Sequence, residues 1–131
     1  MPLHAEATFT LDSWDEEHSE TAGGATFGRA RVTKTFTGDI EGTSTAVLLT
    51  VATADGPAAY TAHEWFEGSV EGRKGTFVSQ HGAVSAGRGV EWTVVAGSGT
   101  GELTGITGAG SITVTDDGTH EFALDYELPE G

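Results

Sequence analysis

Along most of the chain between Ala7 and Leu128 apolar residues recur at every second position, and that habit excludes most folds. Ala7, Phe9 and Leu11 alternate with Thr8, Thr10 and Asp12. Ala30, Val32, Lys34 and Phe36 alternate with Arg31, Thr33 and Thr35, and Val47, Leu49 and Val51 alternate with Ala46, Leu48 and Thr50. The pattern returns at Val90, Trp92 and Val94, and again at Phe122, Leu124, Tyr126 and Leu128. A period of two belongs to pleated strands with one buried face, and the abundance of Thr and Val suits such strands. No window shows a helical face.

Glycine supplies the punctuation. Its 20 copies in 131 residues are about twice the usual share, and they are spread along the chain as tight turns between strands require. The clearest turn signals are Asp55-Gly56-Pro57, Glu71-Gly72, Gly87-Arg88-Gly89 and Asp116-Asp117-Gly118. The first three are evenly spaced, as hairpins of roughly ten-residue strands would be. Eight strands result, at roughly 5–13, 26–37, 42–53, 59–69, 74–83, 89–96, 105–115 and 119–128. Short links make them an antiparallel up-and-down meander within one domain, 1–131. Closing the meander into a barrel removes the edges that an open one would expose. A two-sheet sandwich is the alternative. Residues 13–25 read as the longest irregular link, an acidic loop whose Trp14 either caps a barrel end or forms a lid over a cavity mouth.

Charge narrows the partners. Twenty acidic residues against six basic ones give a net charge of −14, a surface that repels phosphate backbones and anionic lipid headgroups. Neither nucleic acid nor membrane is expected as a partner, and the state expected is a monomer or small homo-oligomer. No cysteine is present, which removes disulfides, thiolate catalysis and thiolate metal sites together. The amino terminus, Met1-Pro2-Leu3-His4-Ala5-Glu6, has neither a basic nor an apolar targeting region, and a cytoplasmic protein is the default expectation.

The most distinctive text runs Trp92-Thr93-Val94-Val95-Ala96-Gly97-Ser98-Gly99-Thr100-Gly101-Glu102-Leu103-Thr104-Gly105-Ile106-Thr107-Gly108. It resembles the signature of a bacterial group, domain-of-unknown-function family 3224. Thr33-Lys34-Thr35-Phe36-Thr37-Gly38-Asp39-Ile40-Glu41-Gly42 agrees with that family, as does Gly72-Arg73-Lys74-Gly75-Thr76-Phe77-Val78-Ser79-Gln80-His81-Gly82. The likeness covers about residues 5–128, with Ala96 standing where family members often carry Pro. It implies a calycin-like barrel similar to allene oxide cyclase, the architecture that the periodicity reaches independently. It implies no activity, because the family has no established catalytic residues to carry over, and a shared fold does not fix function.

Several familiar chemistries fail on spacing. The glycine run lacks the Lys and the following helix of a phosphate loop, and Thr104 stands where a dinucleotide fingerprint needs Gly. Ala83-Val84-Ser85-Ala86-Gly87 lacks the first Gly of a nucleophile elbow. His4, His18, His63, His81 and His120 share no metal-ligand spacing, and no metal or cofactor is expected.

One constellation carries chemistry. A two-residue turn at Glu71-Gly72 sets Val70 against Arg73, so Phe66 faces Phe77, Glu64 faces Ser79 and Ala62 faces His81. Tyr60 shares that face, and opposed or diagonal neighbours on one face are within reach of each other. Glu64 and His81 are the candidate catalytic pair, and Tyr60, Phe66, Phe77 and Ser79 the candidate ligand contacts. An imidazole and a carboxylate meeting inside an apolar barrel can do acid–base work. The same cluster would equally serve as a buried hydrogen-bond network fixing register, and a face turned to solvent would do neither. The functional expectation is a barrel holding an apolar or aromatic small molecule in its lumen, with cyclase- or isomerase-type activity as an extension. The alternatives are a non-catalytic module acting through its outer surface and an acidic carrier or stress-related protein without a specific ligand.

Overall fold

A computed structural model describes residues 2–54, 58–84 and 90–129. They form eight antiparallel strands: β1 (Leu3–Ala22), β2 (Ala25–Gly38), β3 (Ile40–Thr53), β4 (Ala58–Val70), β5 (Arg73–Val84), β6 (Glu91–Val94), β7 (Thr107–Val114) and β8 (His120–Glu127). Each strand pairs with its neighbours in sequence, and β1 returns to β8 from Leu3↔Tyr126 to Phe9↔His120, closing the barrel. Closure disposes of the two-sheet sandwich. The helical content of the described residues is one 3-10 turn, Gly101–Leu103, and no helix is long and apolar enough to cross a membrane.

The turn at Glu71-Gly72 sets the register of the centre. Both residues have positive φ, 48° and 84°, the primed geometry whose twist matches that of the flanking strands. Val70 therefore pairs with Arg73, and the ladder runs through Phe66↔Phe77, Glu64↔Ser79 and Ala62↔His81 as the sequence predicts. The turn signals at 55–57 and 87–89, and the near-elbow at 83–87 from Ser85 onward, lie outside the described residues.

The expected loop at 13–25 is a strand instead. β1 continues through it to Ala22 and turns at Gly23-Gly24, whose φ values of 58° and 80° repeat the primed geometry. Two register shifts, between Leu11 and Ser13 and between Glu16 and His18, bulge the strand and break its alternation. Both faces of this stretch are wet, so no hydrophobic period marks it. β1, β2 and β3 consequently rise above the point where β1 leaves β8, and Trp14 stands at the rim, 55% exposed.

Side chains fill the barrel in layers. The closed end is packed by Ile40, Val70, Leu103, Ile106, Leu124 and Tyr126. Above them lies an aromatic layer of Phe9, Phe36, Phe66, Phe77, Trp92 and Phe122, with ring centroids 4.8–6.3 Å apart in successive tilted or edge-on contacts. Toward the other end, Ala30, Val32, Ala46, Leu48 and Ala62 form a separate apolar cluster of small and medium side chains. That change of size leaves the open end hollow.

The glycine run links β6 to β7 and docks along β5. Thr100 N–H donates to the Thr76 carbonyl at 2.9 Å and Val95 N–H to the Val78 carbonyl at 2.8 Å, prolonging the pairing where β6 has ended. A Cβ on Gly99 would lie 2.0 Å from the Leu103 carbonyl oxygen, so that position admits only glycine.

Candidate functional site

Between the aromatic layer and the hollow end sits a layer of buried polar side chains. Lys34 comes from β2, Ser44 from β3, Glu64 from β4, and Ser79 and His81 from β5. Their placement follows from the pleat: Lys34 is two residues from Phe36, Glu64 two from Phe66, and Ser79 two from Phe77, so all continue the inward faces that carry the aromatic layer.

Glu64 is the hub, with 2% of its surface exposed. Lys34 Nζ donates to its Oε1 at 3.0 Å, and Ser44 Oγ donates to Oε2 at 2.5 Å. His81 Nε2 reaches the same Oε1 at 2.8 Å, and the other ring nitrogen, Nδ1, lies 3.0 Å from the Tyr60 hydroxyl. Burial is the largest single influence on the Glu64 carboxyl and pushes its pKa up. The His81 hydrogen bond, the Lys34 charge and the Ser44 hydrogen bond together outweigh it and hold the group at about 2. Glu64 is therefore ionised and only accepts, so Nε2 of His81 carries a hydrogen. In neutral His81, Nδ1 then holds the lone pair and accepts from Tyr60 O–H. Burial, and after it the Glu64 charge, push the Tyr60 pKa up, so that the phenol keeps its proton.

This layer floors a cavity of about 650 Å³ that opens at the β1–β2 rim. Its walls include Leu11, Trp14, Val32, Leu48, Val51 and Ile112, and its polar lining includes Lys34, Tyr60, His81 and His120. Phe9 joins the floor to the wall: its ring lies 4.9 Å below the Lys34 ammonium and 5.1 Å from that of His120. Among the described residues no group of three His, Asp or Glu side chains converges to hold a metal ion.

The six residues singled out from sequence divide. Glu64, His81 and Tyr60 form one hydrogen-bonded chain, with Tyr60 and His81 on the cavity wall. Phe66 and Phe77, by contrast, stack 5.1 Å apart within the sealed aromatic layer, and Ser79 is buried beside Glu64. None of these three lines the cavity, because each sits at or below the level of the hub. Lys34 and Ser44 are the members that sequence reasoning missed. A signal for Lys34 was present: a lysine among Ala30, Val32 and Phe36 occupies an inward position, where it requires a partner.

The fold and this polar floor define a closed eight-stranded β-barrel with an ionisable interior. Comparison places it among known proteins. The model of the family described as "Protein of unknown function (DUF3224)" matches residues 5–126, and the chain belongs to that family. It is similar to a crystal structure of a DUF3224-family protein of unknown function from Shewanella oneidensis MR-1, with a TM-score of 0.90 and 31% identity over 99% of this chain and 100% of that one. No curated protein matches the chain.

Proposed function

We propose that the barrel binds an apolar or aromatic small molecule in its open end, with the Tyr60–His81–Glu64–Lys34 chain forming the polar floor of the site. The observation that carries this reading is the cavity itself. Some 650 Å³ lined by aliphatic and aromatic side chains, with a few polar groups gathered at one end, is the form that small-molecule sites take. A fixed carboxylate, an imidazole and a phenol in series can also accept and return a proton, which is what an isomerase- or cyclase-type reaction would ask of the floor.

An environment-sensitive apolar dye tests the reading. Fluorescence should rise on binding to the protein and should be lost in Thr50→Trp, which fills the cavity from its wall. Leu49→Lys should leave it unchanged, because Leu49 is on the outer surface, 61% exposed. Equal loss in both variants would move the site to the outside. That second reading has one observation of its own. Leu49 and Trp65 are exposed, and the register sets Val47 beside His63 between them, so the outside of β3 and β4 carries an apolar patch.

A further inference from the structure

The hydrogen-bond polarity of the cavity floor selects among ligands. With Glu64 held as an acceptor, neutral His81 donates from Nε2 and accepts at Nδ1, which commits the Tyr60 proton to His81. The Tyr60 oxygen then offers the cavity lone pairs and no hydrogen. Lys34 offers the reverse. One of its N–H groups is engaged by Glu64, its ammonium rests on the Phe9 ring, and its remaining hydrogens have no acceptor among the described residues. The floor thus presents one acceptor and one charged donor.

A carbonyl would satisfy Lys34 alone and an ammonium group Tyr60 alone, while a carboxylate would meet the Tyr60 lone pairs head-on. A hydroxyl does both jobs with one atom, donating to Tyr60 and accepting from Lys34. We propose that the lumen takes an apolar, ring-containing molecule with one weakly acidic hydroxyl, a phenol or an enol, whose oxygen sits between Tyr60 and Lys34 and whose proton is taken through Tyr60 by His81. This rests on the lumen being the binding site.

The step balances. The ligand O–H bond breaks as its proton passes to the Tyr60 oxygen, and the original Tyr60 proton passes to His81 Nδ1. The electron pair left on the ligand oxygen is held by the Lys34 ammonium and the renewed Tyr60 O–H. The imidazolium so formed is paired with Glu64, and the total charge of the site does not change. The other titratable groups facing the cavity are Glu16 from β1 and His120 from β8, whose ring packs on Phe9 as the Lys34 ammonium does, whereas Lys34, Tyr60, Glu64 and His81 form the hydrogen-bonded proton path itself.

Para-nitrophenol and its methyl ether, para-nitroanisole, test this on the intact protein, since they share a ring and differ in the proton. The phenol should bind at least about tenfold more tightly, the worth of one charge-assisted hydrogen bond. It should also show the visible phenolate band at a pH where the free probe is protonated. Tyr60→Phe should bring the ratio of the two affinities to about one. Equal binding of both probes by the wild-type protein, without the phenolate band, overturns the hydroxyl inference and leaves the lumen site standing. A preference that survives Tyr60→Phe overturns the role of Tyr60. Exclusion of both probes, together with the apolar dye, overturns the lumen site itself.

Discussion

Lys34 of β2 and Glu64 of β4 form a buried ion pair across the intervening strand β3, with Nζ and Oε1 3.0 Å apart. Each is the other's buried opposite charge, so removing either leaves a charge inside the barrel without its counter-ion. Lys34→Met and Glu64→Gln should each destabilise the fold by about 3–5 kcal/mol in denaturant melts. The double variant should lose less than the sum, because it leaves no unpaired charge. Strict additivity in this cycle would show that the two charges do not depend on each other.

The same pair shapes the acid limb of the stability curve. Glu64 stands at about 2 in the folded protein against an ordinary value of 4.5. A depressed carboxyl pKa stabilises the fold above the unfolded value and stops doing so as the pH falls through 4.5 toward 2, a contribution of about 3 kcal/mol in all. Protonating the other carboxylates relieves repulsion in a chain of net charge −14, so the wild-type curve alone is not diagnostic. The stability difference between wild type and Glu64→Gln, measured in urea from about pH 6 to about pH 2, should shrink toward low pH. A constant difference would mean that Glu64 titrates normally.

Alanine substitutions along the β6–β7 link should sort by mechanism. Gly97 has φ of 87° with nothing nearby, and its replacement should cost about 1–2 kcal/mol of backbone strain. Gly99 is limited by contact instead: the Leu103 carbonyl oxygen lies 2.0 Å from the point an alanine Cβ would occupy. That replacement should cost about 3 kcal/mol, the upper range for overpacking. Thermal melts would measure both, and uniformly harmless replacements would remove the account of this run as a structural link.

How much of this was legible depends on where local chemistry spoke. The Glu71-Gly72 turn is a local signal with long-range effect. It carried the pairing of Glu64 with Ser79 and the proximity of His81 from sequence alone. β1 beyond Leu11 was illegible for the opposite reason: its bulges and two wet faces erase the period that marks a strand. Lys34 and Ser44 reach Glu64 from other strands, and hairpin arithmetic within β4 and β5 says nothing of β2 or β3. Phe66 and Phe77 were rightly paired, but which layers of a barrel are full and which are hollow depends on all eight strands at once.

The aromatic layer has a kinetic consequence. Phe36, Phe66, Phe77, Trp92 and Phe122 seal the interior below Lys34 and His81, so among the described residues the lumen opens away from this layer, on the side of the Trp14 rim. In the proposed site, a guest that reaches the floor would enter polar end first and depart polar end last, and a second reactant would meet only the face that the first has left turned toward the rim.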